Sequence, residues 1–477
     1  MTGSEVPVNR VYSWMLCFAA CLAGFLLARQ LPARDEQAAA VDRTREDFEL
    51  MRLFAEAYEQ IDMRYVKDVE RRKLLDNAIR GMLTGLDPYS SWIPREDLPR
   101  FEQFLDQEFI GVGIQVHLVN GRSEILTSLP ETPAWRAGIR TGDVLLEVDG
   151  KTINGLSPTD IGKLIAGPMG RPVSLQIRKA GTESSETIEL VRDKIQVPTV
   201  SGVVRNNDAQ WTWLLNSEQG VGYIRLTHFS RNTADELKTA LERLTELNAR
   251  SLVLDLRSNP GGLIESAVDV ADLFLDSGRI VSMQGRAVKE RSWQAMPGTM
   301  VPATMPIAIL INRQSASASE ILAAALQDHQ RAVLIGERTF GKGSVQNVIK
   351  MDAGKSAMKL TTAGYLRPCG VNIHRFPDSR PEDDWGVRPD PEYLVDLTKE
   401  QFSEWQKLRE SASGIGTPET LSSAVAADLQ LKRAIEWALS PEAEKSPEKS
   451  TEKTGEKTAE KPPENPAQSP AEGKSER

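Results

Sequence analysis

Residues 306–328 read PIAILINRQSASASEILAAALQD. The first six are an unbroken apolar run, the mark of a strand covered on both faces. The last eleven, 318–328, are rich in helix formers and read as a helix. Between them, NRQSASASE (312–320) alternates serine with alanine at Ser315, Ser317 and Ser319. A strand turning directly into a helix is half of a βα unit, and the pattern recurs. VGYIRL (221–226), SLVLDL (251–256) and AVLIG (332–336) are strand-like, while ADELKTALERLTEL (234–247) and SAVDVADLFL (266–275) are helix-like. Such alternation predicts a largely buried sheet built from βα units.

The chain of 477 residues is long for one domain, and other regions read differently. From about 105 to 182, short apolar runs (GIQVHL, SEILTSL, DVLLEV, VSLQIRK) are broken by glycine turns, with one helix-like stretch at SPTDIGKLIAG. That is a small strand-rich module. Residues 42–84 read as helix, with Phe48, Leu50, Met51, Leu53, Phe54 and Tyr58 at helical spacing, and LDPYS (86–90) ends the run in a turn. From 441 the chain repeats Glu-Lys pairs among Ser, Thr and Pro and has no apolar face to bury, so it reads as a disordered tail. Segment 202–218 reads as a hairpin carrying tryptophans.

Arg10 precedes VYSWMLCFAACLAGFLLA (11–28), an uncharged run long enough to cross a bilayer. It is long for a signal-peptide core and no small-x-small site follows it directly, although AAA (38–40) offers a late one. The reading favoured is an anchor, with the bulk of the chain outside the cytoplasm. A net charge of −9 argues against a nucleic-acid partner. Three cysteines make no disulfide framework, and four histidines lack ligand spacing, so no metal or other cofactor is implied.

Small residues at a strand-to-helix crossing keep Cβ crowding low and leave backbone N–H groups open at the helix start. Those groups can hold an oxyanion beside a serine nucleophile. The competing reading is plain capping, for which Ser319 followed by Glu320 suffices. A serine nucleophile needs a base, and no histidine lies in a suitable motif. RTFGKGSVQ (338–346) sets Lys342 between glycines just after a strand, with Gln346 near enough to orient the amine. LDLRSNPGG (254–262) offers consecutive N–H groups at Gly261 and Gly262.

SASASE, GKGSVQ and DLRSNPGG together resemble the carboxyl-terminal processing proteases, the tail-specific serine peptidases of family S41. ETPAWRAGIRTGDVLLEVDG (131–150) resembles a PDZ signature, and FIGVGIQV (109–116) resembles the start of that domain. LDPYSSWIP (86–94) resembles the segment before it, and WGVRPDPEYLV (385–395) resembles the end of the protease core.

The resemblance implies a multidomain α/β (α+β) protein: a crotonase/ClpP-like βα protease core, an inserted PDZ domain, an N-terminal helical segment and a disordered C-terminal tail. The expected division is a cytoplasmic N-terminus at 1–10, an anchor at 11–29, a linker at 30–41 and a helical segment at 42–98. The PDZ domain follows at 105–182, the core at 183–395, a helical segment at 396–440 and the tail at 441–477. It further implies Ser317 as nucleophile, Lys342 as general base and Gln346 as its support. The N–H groups of Ala318 and the glycines Gly261 and Gly262 form the oxyanion hole, with Gly261 favoured as the glycine donor. Gly111, Val112, Gly113 and Ile114 form the loop that takes a peptide C-terminus. Ser315 and Ser319 then serve the turn.

The implied activity is a membrane-anchored serine endopeptidase of the cell envelope, on the periplasmic or extracytoplasmic side of the inner membrane. Its implied partners are protein or peptide substrates with exposed C-termini, a homo-oligomer, and an activating or adaptor protein. The alternative is a non-catalytic PDZ-type scaffold or chaperone. Cys369 stands where the family usually has a small polar residue, and DSRPEDD is an inserted charged stretch before WGVRPD. Cys369 has no visible base and is read as a spectator.

Overall fold

The computed structural model describes residues 46–105, 108–206, 210–412, 425–440 and 443. The expected anchor at 11–29 and, apart from Ala443, the expected tail lie outside them. Among the described residues no helix is long and apolar enough to cross a membrane. The chain divides into two units, 1–86 and 87–477. In the first unit, residues 46–64 and Arg71–Thr84 are helical. They are joined by an ion pair between Arg71 and Asp62 at 2.8 Å. Phe48, Met51, Leu53, Met63 and Tyr65 are exposed there.

The second unit is built around the predicted sheet. Strands Val221–Leu226, Ser251–Asp255, Ile307–Ile311 and Val333–Gly336 run parallel in that order. Every residue of the two central strands is buried, which accounts for their unbroken apolar sequence. Side chains alternate between faces. Ile224, Leu254 and Ile309 pack with the crossover helices Thr233–Glu246, Ile264–Asp272 and Ala318–Asp328. Tyr223, Val253, Leu310 and Ile335 face the other way, onto Leu431, Ala434 and Trp437 of the helix Leu429–Ala438. The last helix of the expected helical segment 396–440 covers the second face of the core, because its apolar residues fall on the stripe that the sheet leaves open.

A second, antiparallel sheet supports the site. The strand Ser356–Leu366 pairs with Ser344–Met351, Arg279–Gln284 and Ser91–Ile93. LDPYSSWIP therefore does more than turn the chain, since its tail end adds a strand to this second sheet.

The strand-rich module is an antiparallel sheet ordered Ile114–Val119, Arg122–Ser128, Val144–Val148, Pro172–Arg178, Ser185–Val191. It therefore continues past 182 to Val191. The last strand buries only Leu190 fully and is mostly exposed, so its sequence lacks the alternation that marks its neighbour. Entry and exit of the module pair with each other, Glu108–Gly111 against Asp193–Gln196. The helix Pro158–Ile165 is capped by Ser157, whose hydroxyl accepts from the Asp160 N–H at 3.2 Å. Ile161 and Ile165 point into the module core.

Candidate active site

The junction after Ile307–Ile311 is pinned by its outer serines. Ser315 Oγ donates to the Leu256 carbonyl at 2.8 Å and accepts from the Asn312 N–H at 3.0 Å. Ser319 Oγ donates to the Asn259 carbonyl at 3.0 Å. Both residues are fully buried and tie the helix start to the 254–262 loop. These are the turn roles expected of them.

Ser317 sits at the N-cap of Ala318–Asp328 with φ 57° and ψ −114°. A left-handed φ in a residue other than glycine costs on the order of 1–3 kcal/mol and persists only where surroundings enforce it. Here Glu320 holds the Ser317 N–H at 2.7 Å, and Gly261 packs directly against the turn. A Cβ on Gly261 would lie 2.6 Å from the Ala316 carbonyl oxygen and 2.8 Å from Ser317 Cβ, and its φ is 98°. The Gly261 N–H donates to Asn259 Oδ1 at 2.9 Å. A Cβ on Gly262, at φ 153°, would lie 2.1 Å from the Phe229 carbonyl oxygen.

Glu320 holds the junction and the glycine-lysine-glycine loop together. It is fully buried, and one carboxylate oxygen accepts from the Ser317 N–H at 2.7 Å and the Lys342 N–H at 2.8 Å. The other accepts from the Gly341 N–H at 2.7 Å and the Thr339 hydroxyl. Burial pushes the Glu320 pKa up, while the four donors pull against that shift. From sequence, Ser319 and Glu320 read only as a capping pair. Glu320 does cap the helix, but it also fixes Lys342, twenty-two residues away.

Lys342 is half-buried, and its ammonium lies 5.2 Å from the centre of the Tyr89 ring. Burial lowers its pKa, Lys359 lowers it further, and Glu320 opposes. Asp87 accepts from the Tyr89 N–H (2.7 Å), the Ser90 N–H (2.8 Å) and the Ser90 hydroxyl (2.7 Å), which sets Tyr89 in place. Gln346 Nε2 donates to Ser344 Oγ at 2.9 Å and Thr361 Oγ1 at 3.3 Å. Lys342 Nζ is hydrogen-bonded neither to Ser317 Oγ nor to Gln346. The fold therefore brings the backbones of Ser317 and Lys342 together, while the lysine side chain is engaged with Tyr89. Sequence reasoning took LDPYS for a turn, and nothing local in it signals a partner some 250 residues on.

In the strand-rich module, Gly111 ends a strand and Val112 is fully buried, with its carbonyl accepting from the Ala134 N–H at 2.9 Å. Gly111 and Gly113 on either side of it are buried as well. Gly113 has φ 86°, and a Cβ there would lie 2.3 Å from the Thr132 side chain. Ile114 opens the strand Ile114–Val119, which is the edge of its sheet, with Pro158–Ile165 packed beside it. Cys369 is exposed, and its N–H donates to Asp328 at 3.0 Å.

The core gathers the serine and lysine backbones around one carboxylate, and the strand-rich module keeps one strand edge unpaired. Residues 220–392 match peptidase family S41, residues 124–179 match the PDZ domain, and residues 19–97 match the activating protease CtpB N-terminal domain. The chain is 36% identical over 357 residues to the carboxy-terminal-processing protease of Bartonella bacilliformis, covering 74% of this chain and 79% of that one. It is 36% identical over 321 residues to the carboxy-terminal processing protease CtpA of Bacillus subtilis, covering 67% and 66%. Among solved structures, the photosystem II D1 C-terminal processing protease is similar at 29% identity and a TM-score of 0.43, over 80% of this chain and 98% of that one. The chain belongs to peptidase family S41 and carries a PDZ domain.

Proposed function

We propose that the protein is a serine endopeptidase that processes or degrades proteins near their C-termini with a Ser317–Lys342 dyad. The observation that carries this reading is the Glu320 oxygen shared by the Ser317 and Lys342 N–H groups. It fixes nucleophile and base on one anchor, so that only the lysine side chain has to move. In the reaction Lys342 leaves the Tyr89 ring in its neutral form and takes the Ser317 hydroxyl proton. Ser317 Oγ attacks the substrate carbonyl and forms the tetrahedral intermediate. Lys342 returns the proton to the leaving amine, and water then hydrolyses the acyl-enzyme by the reverse sequence. Hydrogen bonds between catalytic groups often form only with substrate present, and a dyad open at rest fits this scheme.

The oxyanion hole takes the Ala318 N–H, at the first position of its helix, and one glycine N–H. The bond from Gly261 to Asn259 favours Gly262 as the glycine donor. Gln346 supports Lys342 once the lysine has turned, by exchanging its hold on Ser344. In the PDZ domain the loop Gly111–Val112–Gly113–Ile114 receives the substrate's C-terminal carboxylate, and the edge strand Ile114–Val119 receives its last residues as an added strand. The run 11–29 anchors the chain in the inner membrane, with the catalytic region on the extracytoplasmic side. The exposed apolar residues of 46–64 and Arg71–Thr84 suit a homo-oligomer or an activating partner.

The test is cleavage of an unstructured protein ending in apolar residues, supplied with a free or an amidated C-terminus. Wild type should cut both and cut the free form faster. Equal rates would remove the PDZ role. Binding without cleavage would return the scaffold reading.

A further inference from the structure

The mechanism leaves one buried charged cluster unused. It begins at Arg257, two residues ahead of Asn259 and fully buried. Its guanidinium is gripped from two sides. Asp255 accepts from Nε at 3.0 Å and from Nη2 at 2.7 Å. Asp428, far along the chain, accepts from Nη1 at 2.8 Å and Nη2 at 2.7 Å. Gln430 Oε1 accepts from Nη1 at 3.2 Å, and its Nε2 donates to the Val395 carbonyl at 2.8 Å. The Tyr223 hydroxyl donates to Asp255 at 2.7 Å. Arg225 and Arg409 also face this cluster, Arg225 through a 3.5 Å bond to the Arg257 carbonyl and Arg409 over the Tyr223 ring at 5.8 Å.

The cluster holds three guanidiniums, Arg257, Arg225 and Arg409, and two carboxylates, and Arg257 is the one gripped by both carboxylates. The second carboxylate is the N-cap of the helix Leu429–Ala438, where it also accepts from the Leu431 N–H at 3.0 Å. Asp428 thus joins the last described helix to the loop that carries Gly261 and Gly262. From Arg257 the path to the dyad is short. Ser258 stands at φ 57°. The Asn259 side chain takes the Gly261 N–H, and the Asn259 carbonyl takes the Ala316 N–H at 3.0 Å and the Ser319 hydroxyl. Ser258 and Asn259 have anchors of their own, at Asn312 (2.9 Å) and the Leu226 carbonyl (2.9 Å), and Arg257 fixes the loop where it leaves the strand Ser251–Asp255.

We propose that Asp428 is a positioning residue for the peptidase reaction: through its bidentate grip on Arg257, it holds the Ser258–Gly262 loop where its glycine N–H can meet the oxyanion. The inference rests on the dyad reading above and adds the C-terminal segment to the machinery. It acts on a group needed only when charge develops on the substrate oxygen, so its loss should lower kcat and spare KM.

The experiment uses Asp428→Asn in the full chain. Asparagine keeps the size and the helix cap and removes the charge. Cleavage kinetics, thermal midpoint and amide exchange of the 258–262 loop are read together. The expected result is kcat lower by about 10- to 100-fold, KM within about twofold, a midpoint within a few degrees and faster exchange at Gly262. Arg257→Lys, which cannot make the bidentate contact, should behave alike. A folded Asp428→Asn with wild-type kcat and unchanged exchange overturns the proposal. Loss of fold in both variants also overturns it, because the cluster is then purely structural. If wild type itself does not cleave, the dyad reading fails, and the exchange data still decide whether Asp428 positions the loop.

Discussion

The serine junction and the PDZ edge both face peptide in this account, and they are built in opposite ways. At the junction, Ser315, Ser319, Glu320 and Asn259 are all fully buried, and each is hydrogen-bonded across to another loop. At the PDZ edge, Ile114–Val119 is half-exposed and has a strand partner on one side only. The contrast suits the chemistry proposed for each. An oxyanion site works because its donors are already oriented and need no reorganisation. A strand-addition site works because its backbone groups are unpaired until the ligand pairs them. One part of the chain spends stability on rigidity, and the other keeps an edge open.

The largest effects should fall on the rigid side. Ser317→Ala and Lys342→Ala should each reduce cleavage by about 10⁴-fold or more and leave the circular dichroism spectrum unchanged. A variant retaining a wild-type rate would break the comparison at its root. Glu320→Ala strands four buried donors. It should lower the unfolding free energy by roughly 3 kcal/mol or more and remove activity even below the new melting point. A denaturant titration reads the first quantity, and a stable, active Glu320→Ala protein would show that the shared oxygen does not matter.

The open side should give a smaller and different signature. Gly113→Ala forces a Cβ into Thr132 at a left-handed φ, at a local cost of about 1–3 kcal/mol. It should raise KM for substrates with a free C-terminus and leave cleavage of amidated ones nearly unchanged. An equal loss on both substrates would mean that the two regions are not separable.

The smallest effect concerns pH. In the proposed mechanism neutral Lys342 is the active form, so kcat/KM should rise with pH as the lysine loses its proton. Burial depresses that pKa, so the limb lies below the ordinary lysine value of about 10.4. Tyr89 favours the ammonium form. Tyr89→Leu should therefore move the limb to lower pH by about half a unit, and Tyr89→Phe should not move it.

How much of this was legible in the sequence follows the same division. The βα strands and the helix Ala318–Asp328 could be read from local periodicity, because each is a continuous segment buried as a block. Ser317, Lys342 and the glycines of 261–262 could be named because each sits in a short motif. The capping pair hid the wider reach of Glu320, whose partners at 339–342 are set by tertiary contact. Tyr89, Asp428 and the strand Ser91–Ile93 carry no local signal, since their roles arise from pairings across more than 150 residues. The Ser185–Val191 strand escaped because it buries too little to alternate visibly.

The most direct test of the central claim is covalent labelling. A fluorophosphonate reacts with a serine only where a base removes its proton and an oxyanion hole receives the charge. With wild-type protein and peptide mapping, the account predicts a single adduct, on Ser317, that is lost in Ser317→Ala and strongly slowed in Lys342→Ala. An adduct on another serine, or labelling of Ser317 at the same rate without Lys342, would contradict it.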